Sequence, residues 1–105
     1  MIIYKTKLYH KWIARLKDKV AKTLIKTRLR RIETEGYFGD CEPVAKNVSE
    51  LKIDYGPGYR IYLTKKEAKL IVLLVGGDKS TQSRDVKKAV KMAADTTIEE
   101  LTKWY

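Results

Sequence analysis

The chain has one cysteine, one histidine, two prolines and one phenylalanine in 105 residues. Each scarcity closes off a class of protein. With Cys41 alone no intramolecular disulfide can form, which fits a reducing compartment, so a cytoplasmic protein is expected. His10 and Cys41 leave only scattered carboxylates as further metal ligands, and no metal or other cofactor is expected. Cys41 lies in a turn-rich segment with no base partner in view, which argues against a thiol nucleophile. His10 sits early in a helical pattern with no acidic or nucleophilic neighbour at useful spacing, and reads as a surface residue. Long apolar runs are missing too. The longest, residues 70–75, is far too short to cross a bilayer. The opening MIIYKTKLYHKW has no apolar stretch after its early positive charges, so neither a signal peptide nor a membrane partner is expected.

Acids are the other shortage: 13 against 23 Lys and Arg, for a net charge of +10. The imbalance is local. Residues 1–35 carry 11 basic and 3 acidic residues, residues 36–68 carry 5 of each, and residues 69–105 carry 7 and 5. A pI near 9.7 with one basic helical region points to a polyanionic partner, nucleic acid or an acidic protein. Hydrophobic residues make up 44% of the chain, enough for a real core. The length suits a single domain over residues 1–105, and no repeat, linker or low-complexity stretch divides it.

The hydrophobic pattern predicts an α+β fold. Residues 1–4 read as a short strand. Tyr9, Trp12, Ile13 and Leu16 have helical spacing over residues 6–16. Asp18 is placed to cap a second helix that runs to about Glu35, where Gly36 would end it in the left-handed conformation. Its apolar stripe is Val20, Ala21, Leu24, Ile25, Leu29 and Ile32, with Lys19, Lys22, Lys26, Arg30 and Arg31 mostly elsewhere on the helix. A short edge strand is expected near residues 43–45. From Glu50 the alternation sets Leu51, Ile53 and Tyr55 on one face, and Glu50, Lys52 and Asp54 on the other. After Gly56-Pro57-Gly58, Tyr59, Ile61 and Leu63 share a face, opposite Arg60, Tyr62 and Thr64. A symmetric hairpin centred on Pro57 sets Asp54 against Arg60 and Lys52 against Tyr62, and a bulge in its loop would shift that register. Residues 65–68 read as a turn. Residues 70–75, apolar at both parities, read as a central strand, and Gly76-Gly77 as the turn out of it. Val86, Ala89, Val90 and Ala93 mark a helix over residues 85–95. In the tail, residues 96–105, a Thr97/Glu100 capping-box pattern precedes Ile98, Leu101 and Trp104. That tail is either a last helical turn on the core or an exposed aromatic arm. Trp12, Tyr55, Tyr59 and Leu70 are core candidates.

ELKIDYGPGYRIYL followed by LLVGGDKSTQSRDVKKA, with WIARLKDKVAKTLIKTRLRRIETEGYFGD upstream, resembles the "addiction module killer" branch of the RelE/HigB-like toxins, within the RelE/ParE superfamily. The resemblance implies a small antiparallel sheet with an N-terminal helical hairpin packed on one face and a C-terminal helix. It implies the toxin half of a type II toxin–antitoxin pair, with a cognate antitoxin as partner and operator DNA met only through the antitoxin complex. Better-known relatives enter the ribosome and cut mRNA without a metal, whereas a related ParE-type branch poisons DNA gyrase. A non-catalytic antitoxin- and DNA-binding module is the third reading the fold allows.

Cleavage of RNA by its own 2′-OH needs a base, an acid for the leaving oxygen, and cations around the charged phosphorane. Arg60 matches the arginine of the branch's "GYR" segment, and Lys79 and Arg84 match its "GGDK-TQ-RD" segment. The expected assignment has Arg60 and Arg84 holding the scissile phosphate, Lys52 and Lys79 as further cations, and Tyr62 as proton donor or stacking surface. Gln82 belongs to the same loop, ahead of a helix N-terminus that offers free N–H groups. The helix bearing Lys19, Lys22, Lys26, Arg30 and Arg31 is expected to contact ribosomal RNA, with the antitoxin covering part of the same surface. The plainer readings are a solvated helix face, and a structural ion pair between Arg60 and Asp54.

Overall fold

A computed structural model describes all 105 residues. The elements are β1 (Ile2–Lys5), α1 (Lys7–Arg15), α2 (Lys19–Glu35), β2 (Cys41–Ala45), β3 (Val48–Ile53), β4 (Tyr59–Glu67), β5 (Leu70–Asp78), α3 (Gln82–Asp95) and β6 (Thr102–Lys103). Short 3₁₀ turns at Lys79–Thr81 and Ile98–Glu100 bracket α3. One six-stranded sheet has the order β2-β3-β4-β5-β1-β6. The fold is α+β, as the alternation of periods predicts. The sheet is mostly antiparallel, but β1 pairs with β5 in parallel, Ile3 beside Ile71.

Capping explains the helical hairpin. Thr6 accepts the Tyr9 amide at 3.1 Å and donates to the Leu74 carbonyl at 2.6 Å, so one hydroxyl starts α1 and ties it to β5. Asp18 accepts from the Ala21 amide at 3.0 Å, and Gly36 ends α2 at φ 68°. Ala21, Ile25, Leu29 and Ile32 are buried against the sheet. Val20 and Leu24, expected in that stripe, are exposed, because they lie one position off the Ala21, Ile25, Leu29 and Ile32 row that meets the sheet. The core on this face joins α1 and α2 to Ile3, Leu51, Ile53, Ile61, Leu63, Ile71 and Leu73. A smaller core on the opposite face packs α3, through Ala89 and Ala93, on Val48, Tyr62, Val72, Leu74 and Val75. Strand β5 is therefore covered on both sides, as its sequence demands.

Several expectations need correction. Residues 65–68 are not a turn: β4 continues to Glu67 and the reversal falls at residues 68–69. Gly76 and Gly77 lie within β5 and are glycines because other groups occupy their side-chain space. A Cβ on Gly76 would stand 2.2 Å from the Trp12 ring, and one on Gly77 would stand 2.0 Å from Asp85 Oδ2. In the β3–β4 hairpin Lys52 faces Arg60, Glu50 faces Tyr62 and Ile53 faces Tyr59. The connection spans residues 54–58, with Gly56 and Gly58 at positive φ, and this longer loop moves the register by two. Asp54 is thus outside the ladder and unpaired with Arg60, and Tyr55 is exposed. In the tail the Thr97 side chain makes no cap. Instead β6 joins β1 and buries Trp104, whose indole N–H donates to Glu33 at 3.0 Å. Tyr105 stays exposed.

Candidate nucleic-acid interface

The register places Lys52, Arg60 and Gly77 in one row across β3, β4 and β5. The row points to the face that α3 covers, beyond the first turn of that helix. Parity alone predicted that Lys52 and Arg60 share a face. Their acidic partners are a new finding. Lys52 Nζ reaches Glu42 Oε1 on β2 at 2.6 Å, and Arg60 Nε lies 3.8 Å from Glu50 Oε1. Glu50 is 0% exposed and the Arg60 side chain only 13%. Gln82, at the start of α3, donates to the other Glu50 oxygen at 2.7 Å. The buried Glu50 carboxylate thus anchors the helix through Gln82 and lies beside Arg60 at ion-pair distance, with neither Glu50 Oε1 nor Arg60 Nε hydrogen-bonded. With its side chain only 13% exposed, Arg60 presents its charge where water screens it little.

Lys79 joins this end of the sheet. Tyr59 pairs with Asp78, and Gly58 leaves room for the Lys79 stem, which would lie 3.6 Å from a Cβ there. Arg84 does not join it. Its side chain is 71% exposed, pairs with Asp85 at 3.7 Å and lines a cleft toward α1. Gln82 and Arg84 therefore serve opposite flanks of the same helical turn. Tyr62 lies fully buried beneath α3. Burial, then the adjacent Glu50 carboxylate, raise its phenol far above the ordinary range, so it stays protonated and shielded. Lys52 is held above its ordinary value by its hydrogen bond to Glu42, and Glu42 is lowered by the same bond.

Asp85 is a second buried acid that sequence reasoning passed over. It accepts from Thr81 at 2.5 Å and fills the space that Gly77 leaves free. Glu50 lies on the sheet face that α3 covers, and Asp85 on the face of α3 that meets the sheet, so neither declares its burial in the local sequence. No group of three or more His, Cys, Asp or Glu side chains converges into a metal-binding set.

On the basic helix the five expected contacts separate. Arg30 pairs with Glu33 at 3.4 Å and lies over the Trp104 and Tyr105 rings, at 5.1 and 5.8 Å. Arg31 pairs with Glu35 at 3.0 Å and covers Tyr37. Lys19 and Lys26 are exposed and Lys22 half-buried, with no carboxylate paired to any of them. Arg28, absent from the expected set, is structural. Its guanidinium donates to the carbonyls of Lys52 at 2.6 Å, Phe38 at 2.7 Å and Asp40 at 3.2 Å, so α2 holds the strand that carries Lys52.

Fold and site together define a small α+β protein with fixed cations at one end of its sheet. The chain belongs to the family described as "Phage derived protein Gp49-like (DUF891)", whose profile matches residues 11–99. That family is associated with toxin–antitoxin systems, under the description addiction module killer. An uncharacterized protein of Haemophilus influenzae is 42% identical over 90 residues, covering 86% of this chain and 90% of its own length. No helix is long and apolar enough to cross a membrane.

Proposed function

We propose that this chain is the toxin of a type II toxin–antitoxin pair in the RelE/ParE superfamily, and that it cuts mRNA on the ribosome. One observation carries the reading: Arg60, beside a buried Glu50 that Gln82 holds, stands opposite Lys52 at an open sheet end next to Lys79. Cations fixed before the substrate arrives lower the cost of gathering charge on a phosphorane. Arg60 serves as the electrostatic clamp, since guanidinium does not deprotonate in proteins. Lys52, kept protonated by Glu42, suits phosphate binding or donation to the leaving 5′-oxygen rather than proton abstraction. Lys79, exposed and adjacent, completes the cationic group. Tyr62, fully buried beneath α3, lies outside the reacting centre. Arg84 and the free lysines of α2 meet RNA outside the reacting centre. The antitoxin, ribosome and mRNA are the implied partners, and the cytoplasm the implied location.

The test is to induce the chain in growing bacteria and map new 5′ ends on translated mRNAs. The companion strain carries Glu50→Gln with Arg60→Ala, which removes the guanidinium without stranding a buried charge. Cuts within reading frames that vanish in the double variant support the nuclease. Growth arrest without cuts would replace it with gyrase poisoning, and no growth effect would leave a binding module.

A further inference from the structure

A second basic site lies on the other flank of α3, away from Arg60. Lys11 and Arg15 from α1 and Arg84 and Lys88 from α3 rim a cleft of about 330 Å³. One acid lines it, Asp85, which is buried and already engaged by Thr81 and Arg84. Lys11, Arg15 and Lys88 have no carboxylate partner. The cleft therefore concentrates uncompensated positive charge.

Its apolar lining is built, not incidental. Trp12 packs so closely on Gly76 that any side chain at that position would overlap the ring. Tyr9 and Tyr59 flank the same indole, with centroids at 5.9 and 6.3 Å, and hold it in place. Trp12 is nevertheless only half-buried, and Leu8 and Leu16 extend the apolar wall beside it. A fixed aromatic surface inside a ring of free cations suits a single-stranded nucleic acid, whose bases stack while its phosphates meet Lys and Arg. The volume sits at the small end of ligand clefts, roughly 300–1,000 Å³, which suits one base with its sugar. Arg84 also lines a neighbouring depression with Ser80, Ser83 and Lys87, so the strand has a continuous polar path along the start of α3.

We propose that the α1–α3 cleft binds a single-stranded nucleic acid, with one base against Trp12 and the flanking phosphates on Lys11, Arg15, Arg84 and Lys88. The site stands on binding alone and does not depend on the nuclease reading. A chain that binds RNA there but cuts none would remove the nuclease and leave the cleft.

The experiment is fluorescence anisotropy of the full chain with a labelled oligo-uridine RNA of about ten nucleotides, within the usual site-size range. Lys11→Ala with Lys88→Ala is the test variant, since both side chains are exposed and the fold should persist. Lys46→Ala with Lys69→Ala, in turns at the far end of the sheet, is the control of equal charge. The expected result is about tenfold weaker binding for the test variant at low salt, a log–log salt slope smaller by roughly 1.4, and little change in the control. Unchanged affinity in a folded test variant would overturn the site. So would equal weakening in the control, which would mean diffuse attraction. Displacement of the RNA by a poly-glutamate peptide at lower concentration than by unlabelled oligo-uridine of equal charge would assign the cleft to an acidic protein instead.

Discussion

The two basic regions of this protein are organised in opposite ways. On α2 the charge is abundant but loose: Lys19 and Lys26 are exposed and unpaired, while Arg30 and Arg31 pair with acids on their own helix. At the sheet end the charge is sparse but fixed. Lys52 and Arg60 each have a carboxylate from another position in the sheet, and one of those carboxylates is fully buried. Residues 36–68 are neutral overall, with 5 basic and 5 acidic residues, and two of those acids, Glu42 and Glu50, pair with Lys52 and Arg60. Net charge locates where a polyanion is attracted. Local charge balance, read together with burial, locates where it is oriented.

Breaking the fixed region should cost most. Arg60→Ala leaves Glu50 buried without its cation, an expected loss of about 3–5 kcal/mol in urea unfolding. Adding Glu50→Gln should recover most of it. If the single and double variants unfold alike, Glu50 is not the element that fixes Arg60. Gly76→Ala comes next: it forces the Trp12 ring out of its place and should cost about 1–3 kcal/mol, with a shift in tryptophan emission.

Glu42→Gln probes the half-exposed part of the row. Glu42 sits below its ordinary 4.5 and Lys52 above its ordinary 10.5, both through their shared hydrogen bond. The acid's contribution is present above its unfolded value and is lost as pH falls through the lowered one. The base's is present below its unfolded value and is lost as pH rises through the raised one. The stability difference between wild type and Glu42→Gln should therefore be constant at neutral pH and vanish at both extremes. In the variant the Lys52 titration, followed by NMR, should move down toward its ordinary value. Smallest of all, Arg31→Ala should change stability by under about 1 kcal/mol, since its partners Glu35 and Tyr37 are both exposed. A larger loss there would remove the contrast between the two regions.

Much of this fold is visible in the sequence because its signals are local. Asp18 and Gly36 announce the ends of α2 within four residues, and alternation in β3 and β4 sorts the faces correctly. What stayed hidden depends on distant partners. Gly76 and Gly77 resemble a turn until Trp12 and Asp85 are seen against them. Pro57 suggests a tight hairpin, and only the backbone of residues 54–58 shows the longer loop that sets Lys52 against Arg60. For the site, Lys52 and Arg60 share a face as parity requires, and Arg84 lies on the opposite flank of α3. Glu50, Asp85 and Arg28 were passed over because a charged residue shows its burial only through the elements that cover it.

The most direct measurement compares growth on induction of three chains: wild type, the folded Glu50→Gln/Arg60→Ala double variant, and a Lys19→Ala/Lys22→Ala/Lys26→Ala triple variant. If the fixed row carries the activity, the double variant grows normally while the triple variant still arrests growth, more weakly at raised salt. Full arrest by the double variant, or its loss in the triple alone, would place the activity on the helix instead.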